Sequence, residues 1–184
     1  LLNRSSDLPG YTFSGLQKST FSEVNIVRFR ERTEWIAGVN LWTDHFAEKP
    51  ADNRTLRDYR QKTFGAFVQN SLTFSEEWML ESGLRGDYVQ DYGFAFLPRL
   101  ALLYRPGTRF SSRIGGGFGY KAPTIFLEET ERVLFEDVHP VSPDDNVLER
   151  SYGANWDLNF RTSIGEVDVN VNHLFFYTFV DRPL

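Results

Sequence analysis

The sequence has no cysteine, and its 184 residues include a single methionine. Without cysteine there is no disulfide and no thiolate metal site. No apolar run approaches the roughly 18 residues that a transmembrane helix needs, which excludes a helical membrane protein. Positive charge is in deficit: 20 Lys and Arg stand against 25 Asp and Glu, for a net charge of −5. That balance, with a pI near 5.3, argues against a nucleic-acid partner. His45, His139 and His173 lack metal-ligand spacing. No Ser-His-Asp arrangement is evident. The glycine run at 115–117 is not followed by the Gly-Lys-Ser/Thr and strand-to-helix context of a phosphate loop. No catalytic residue, metal or cofactor is assigned. The mean hydropathy of −0.39 does not speak against a membrane β-barrel, whose strands alternate and need only about 9–11 residues.

Alternation and aromatic side chains are what the sequence has in quantity. Aromatics make up 16% of it, and Phe alone supplies 17 residues. The clearest stretch runs from Arg109 to Lys121. Its even positions are Phe110, Ser112, Ile114, Gly116, Phe118 and Tyr120; its odd positions include Arg109, Arg113, Gly115, Gly117, Gly119 and Lys121. One face is mostly apolar and the other basic and glycine-rich, as in a two-faced strand. Pro123 cannot donate to a ladder and ends it.

The same period recurs along the chain. Residues 1–18, with Ser5-Ser6-Asp7 and Pro9-Gly10, read as a loop. Strand patterns follow from about Ser19 to Glu31, Glu34 to Phe46, Tyr59 to Phe74, Trp78 to Gln90, Phe96 to Arg105, Arg109 to Lys121, Leu148 to Thr162 and Val167 to Phe179. Ile36, Trp42 and Phe67 are apolar intruders on otherwise polar faces, and Pro98 suggests a strand start or a bulge. The turns near 32, 76, 107 and 164 are short. The connections at 47–58, 91–95 and 121–147 are longer, with a short helical piece expected around Phe126–Val133. The fold class expected is all-β: an antiparallel up-and-down meander of about eight long strands. Short turns at one end and long loops at the other are the arrangement of outer-membrane barrels. Sandwich strands usually run about 5–6 residues, and most here are twice that. Eight strands can also close a small barrel, so a non-transporting barrel (an anchor or adhesin) and a soluble carbohydrate-binding β-domain stay open as alternatives.

Several short motifs then carry a resemblance. Gly117-Phe118-Gly119-Tyr120-Lys121-Ala122-Pro123-Thr124, followed by Glu128-Glu129, resembles the barrel signature of TonB-dependent outer-membrane receptors. Phe64-Gly65-Ala66-Phe67-Val68-Gln69-Asn70, Glu81 to Tyr88, Leu97-Pro98-Arg99, Leu148 to Gly153 and Phe175-Phe176-Tyr177 are similar to further strands of that family, in its order. The resemblance implies a 22-stranded barrel with an N-terminal plug, importing a scarce nutrient across the outer membrane of a Gram-negative bacterium. The cargo class it implies is a metal chelate such as a ferric siderophore, haem or a corrinoid. Residues 1–184 are then a partial barrel domain without plug or TonB box. The partners implied are outer-membrane lipid, the plug and remaining strands, TonB through the N-terminal part, and the small-molecule ligand. As a fragment the sheet is expected to be open and curved.

By parity Arg85, Arg99, Arg105, Arg109, Arg113 and Arg161 fall on the face that would line the lumen. They are candidates either to attract an anionic ligand or to pair with carboxylates of the lumen or plug. Arg85, Arg99 and Arg113 are the wall candidates for substrate contact. Glu128, Glu129 and Asp137 are the candidates on the acidic loop. Phe118 and Tyr120 are expected to face lipid, with Ala122-Pro123 the point where the chain leaves the membrane. Trp35, Tyr59, Phe74, Trp78, Tyr88, Tyr104 and Phe179 suit interfacial girdles. Leu84→Arg is expected to harm insertion more than Arg85→Leu.

Overall fold

The computed structural model describes residues 2–8, 11–50, 56–126, 139–142 and 146–181, with side chains from residue 13 onward. The strands are β1 (Leu2–Leu8), β2 (Tyr11–Arg30), β3 (Thr33–Glu48), β4 (Tyr59–Thr73), β5 (Trp78–Val89), β6 (Gly93–Tyr104), β7 (Phe110–Lys121), β8 (Glu149–Ile164) and β9 (Val167–Asp181). They form one sheet in sequence order, and each neighbouring pair is antiparallel. Among the described residues β1 pairs only with β2 and β9 only with β8, so the meander is open and both edges are unpaired.

The eight strands read from the sequence correspond to β2–β9. The loop expected over residues 1–18 is instead strand: β1 pairs with the first part of β2 in the register Leu2↔Gln17 to Leu8↔Tyr11. The pairing runs as far as Leu8↔Tyr11, so β1 and β2 are described on either side of residues 9–10. β2 runs 20 residues because it serves two neighbours at different heights. β1 takes its upper part, and β3 takes Gly15–Arg30.

Tight reversals close one end of the sheet, at residues 31–32, 74–77, 105–109 and 165–166. Gly165 adopts φ +64° there, a left-handed conformation open to glycine. The opposite end carries the connections at 49–58, 90–92 and 122–148. In the 90–92 turn Asp91 is the one non-glycine positive φ (67°) among the described residues, a conformation that Asp tolerates better than most residues.

Cross-strand partners share a face, so the register sorts the side chains. Trp35, Leu41, Phe64, Leu84, Phe96, Leu100, Ile114, Phe118 and Trp156 lie on one side, and most are around half exposed. Asn40, Gly65, Arg85, Asp87, Arg99, Gly115, Gly117 and Asp157 lie on the other, the inner face. Ile36, Trp42 and Phe67 sit on the inner face as the sequence pattern indicates. Among the described residues there is no second layer. The buried apolar side chains among them are Ala101, on the inner face of β6, and two small clusters at the long-loop end, Phe13–Phe46–Ile125 and Val89–Ala95–Leu148.

Pro98 is neither a strand start nor a bulge against β5; it sits inside β6 opposite Leu84, in a register that runs without a slip from Gly83↔Arg99 to Arg85↔Leu97. Its carbonyl points at β7, lying 3.1 Å from where a Cβ on Gly117 would be. In an antiparallel strand the N–H and C=O of a residue point the same way. The donor that proline lacks is therefore on the β7 side. The β6–β7 pairing stops at Arg99↔Gly117, while β7 stays paired to β8 up to Lys121↔Glu149. The upper end of β7 is thereby released from β6.

Leu100 and Arg99 are chain neighbours on opposite faces, and they give a cleaner test of facing than Leu84 and Arg85, because Arg85 holds a buried carboxylate. In lipid-refolding titrations of the full-length protein, Leu100→Arg is expected to cost up to about 2–4 kcal/mol. Arg99→Leu should cost well under half of that. Equal losses would show the two faces to be wrongly assigned.

Candidate functional site

The site is built on one rung. Asn40, Gly65, Asp87 and Ala95 are successive cross-strand partners on β3, β4, β5 and β6. Asp87 is only 2% exposed, and a carboxylate that deep needs partners. Arg85, two residues earlier on the same face, donates from Nε to both Asp87 oxygens at 2.9 Å. The Tyr120 hydroxyl donates to Oδ2 at 3.0 Å. Arg85 Nη2 also donates to Asn40 Oδ1 at 3.2 Å. These groups converge over Gly65. A Cβ there would lie 2.6 Å from Asn40 Oδ1 and 2.8 Å from Arg85 Nη2, and would also collide with Asp87.

Tyr120 corrects a sequence expectation. Its parity puts it with Phe118 on the apolar face, yet its hydroxyl reaches Asp87 and its ring packs against the Val89–Ala95–Leu148 cluster. The reason is the release of β7 above Pro98, since nothing on β6 holds Tyr120 to the outer side. Phe118, one step lower, stays on the outer face and is exposed.

Past Lys121 the chain turns inward. Ile125 is 2% exposed and packs with Phe13 and Phe46, on β2 and β3, at the far side of β4–β6. Phe126 meets Phe46 edge-on at a centroid distance of 5.0 Å. Residues 122–126 thus form a strap from β7 back to β2 and β3. Beneath it lies a cavity of about 540 Å³ lined by Asn40, Trp42, Gln61, Asp87, Tyr120 and Thr124, among others. Phe21 and Trp42 are direct partners on this wall, both more than half exposed on an otherwise polar surface. Two amide nitrogens here are buried without a hydrogen-bond partner among the described residues, Asn40 Nδ2 and Gln61 Nε2.

The remaining candidates are spread more widely. Arg113 pairs with Glu81 across β6. Arg99 has no carboxylate partner among the described residues. It stands over a floor of Gly83 and Gly117, its direct cross-strand partners. Arg99, Arg113, Gly115, Gly117, Asn155 and Asp157 share a second, shallower depression. Arg105, Arg109 and Arg161 gather with Glu76 and Glu77 at the tight-turn end. Glu128, Glu129 and Asp137, with the helical piece expected up to Val133, lie outside the described residues. Trp78 and Tyr104 stack at 4.4 Å on the outer face near the tight turns, as girdle residues would. Tyr59 is not one of them: it lies on the inner face, stacked on Phe46 with its hydroxyl donating to Asp44 at 2.8 Å. In the 90–92 turn, burial pushes the Tyr92 hydroxyl pKa above its usual value, helped by the Asp91 charge. Asn40, Gln61, Phe21 and Tyr120 were not singled out as site residues from the sequence. Only Trp42 carried a signal, as an aromatic on the polar parity of β3.

A single two-faced sheet, apolar outside and polar inside with an anchored strap at one end, is the wall of a membrane-type β-barrel. The chain belongs to the TonB-dependent receptor-like β-barrel family, whose model matches residues 3–172. It is 23% identical over 166 residues to the vitamin B12 transporter BtuB of Vibrio cholerae, a match covering 90% of this chain and 26% of the transporter. The siderophore receptor PirA of Acinetobacter baumannii superposes with a TM-score of 0.67 at 15% identity, over 97% of this chain and 29% of that one. A mutant of the ferric enterobactin receptor PfeA of Pseudomonas aeruginosa, in complex with enterobactin, gives a TM-score of 0.63 at 16% identity, over 89% of this chain and 27% of that one. These relatives are named as transporters and receptors, and none as an enzyme. The chain spans about a quarter of their length.

Two substitutions probe this region. Gly65→Ala is expected to destabilise the full-length protein by about 1–3 kcal/mol, because the added methyl must displace the Asn40, Asp87 and Arg85 groups. A urea titration reads this, and an unchanged midpoint would mean that the rung is looser than described. Ile125→Ala should weaken the anchor of the strap by about 2–4 kcal/mol, raising hydrogen exchange across residues 122–126 while β4 and β5 remain protected. Unaltered exchange in the strap would show that Ile125 does not hold it.

Proposed function

We propose that this chain is the partial barrel domain of an outer-membrane receptor that takes up a scarce small molecule, with a metal chelate as its cargo. The observation that carries the reading is the family match over nearly the whole chain. Relatives named for vitamin B12, siderophores and ferric enterobactin support the cargo class. In this reading the outer aromatic and aliphatic face meets the lipid of a Gram-negative outer membrane. The inner face lines the lumen against a plug, within a closed barrel of 22 strands. The tight-turn end is periplasmic and the strap lies at the outer mouth. Import is energised through TonB, which contacts a part of the protein N-terminal to this domain. Arg99 over its glycine floor is positioned to meet the plug, and Arg85 and Arg113 hold wall carboxylates. Glu128, Glu129 and Asp137 remain candidates for ligand contact on the acidic loop.

Uptake assays in a strain lacking the receptor gene test this. Radiolabelled cobalamin, haem and a panel of ferric siderophores are supplied, with the full-length gene restored in cells with and without TonB. Uptake of at least one chelate should depend on both the receptor and TonB. If every chelate enters equally well with and without the receptor, the cargo assignment fails. Surface display without any TonB-dependent uptake would favour an anchor or adhesin.

A further inference from the structure

The inner wall of β3 and β4 has hydrogen-bonding capacity that none of the described residues uses. Asn40 is 3% exposed, and Arg85 donates to its Oδ1, which fixes the amide so that Nδ2 points away unpaired. Gln61 Nε2 is likewise buried and unpaired. An unmet buried donor costs roughly 1–3 kcal/mol, so two on the wall of one cavity is a costly arrangement unless something accepts from them.

Their placement restricts what that is. In the ladder Asn40 pairs with Gly65, Trp42 with Thr63 and Asp44 with Gln61. The two orphan amides are therefore two rungs apart, a spacing along the strands of about 14 Å, with Trp42 and its partner Phe21 between them. The two carboxylates lining the cavity are already engaged. Asp87 accepts from Arg85 and Tyr120, and Asp44 from Gln17, Ser19 and Tyr59. The charged lining residues Asp44, Asp87, Arg85 and Lys121 cancel. What the wall still offers is donor, aromatic surface, donor, with no net charge.

We propose that this wall is a binding site for an uncharged ligand with a flat apolar face and acceptor oxygens at both ends, the face resting on Phe21–Trp42 and the oxygens accepting from Asn40 and Gln61. Residues 122–126 roof the site. The cavity, at about 540 Å³, falls in the range of small-molecule sites. The proposal rests on the uptake reading for the context of the ligand, and it adds charge class and orientation. An uncharged chelate with peripheral carbonyls and a neutral sugar chain share this chemistry.

The test uses the full-length receptor in detergent and titrates four probes: cyanocobalamin, an uncharged ferric tris-hydroxamate, a neutral trisaccharide and a trianionic ferric tris-catecholate. At least one uncharged probe should bind more tightly than the catecholate. Gln61→Leu leaves the Arg85–Asp87 pair untouched and should weaken that binding about five- to tenfold. Trp42→Leu should weaken it as well, and both variants should retain the wild-type urea midpoint to within a small shift. Binding of the trisaccharide alone, sensitive to Gln61 and Trp42, would uphold the wall site and remove the metal-chelate reading. Preference for the catecholate would overturn the wall site and leave the chelate reading standing. Failure of all three uncharged probes to bind, or indifference of the bound one to both substitutions, would overturn the wall site too.

Discussion

A single antiparallel meander, in which every strand pairs with its neighbours in sequence and no second layer among the described residues covers either face, is the constraint on which everything else in this chain depends. Most soluble domains bury one face of a sheet against helices or another sheet. Here, among the described residues, the buried apolar side chains other than Ala101 are found at the long-loop end, in clusters of a few residues. The apolar outer face therefore requires an apolar solvent, and the polar inner face requires water or another polar partner. A backbone in lipid must satisfy its own polar groups, which a strand ladder does only when it is continuous. The two open edges, β1 and β9, are where this chain cannot meet that requirement alone.

The early end of the β6–β7 pairing makes the site. At Pro98 the sheet lacks a donor toward β7, and the strands part above it. That parting lets Tyr120 cross to the inner side and join Asp87, and it leads the chain into the strap that Ile125 fastens to Phe13 and Phe46. Glycine complements this. Gly65 admits three polar side chains into one small volume, and Gly83 and Gly117 leave Arg99 standing over bare backbone. The inner face is thus graded: crowded under the strap, with its carboxylates paired and two amide donors left over, open near Arg99, and arginine-rich at the tight turns.

Much of the fold was legible in the chain because its alternation is a local property. Trp35-Ala37-Val39-Leu41 and Leu80-Leu84-Tyr88 mark the outer face without knowledge of any partner strand. Even the exceptions Ile36, Trp42 and Phe67 were placed on the right side. The first strand was missed because Ser5-Ser6-Asp7 and Pro9-Gly10 have turn chemistry, and their pairing with Thr12–Ser14 is a tertiary fact. Tyr59 was read as a girdle residue because its distance from the strand end is visible while its stacking on Phe46 is not.

What the sequence determined by itself is the period, the facing of nearly every strand, the hairpin order and, through short motifs, the receptor family. These survive because each depends on residues within a dozen positions of one another. What only the tertiary structure decided is which side chains share a rung. Asn40, Gly65, Asp87 and Tyr120 span 80 residues of chain, and their convergence depends on register across four strands and on a missing proline donor. Register and a broken ladder are relations between strands, so no single strand's pattern encodes them.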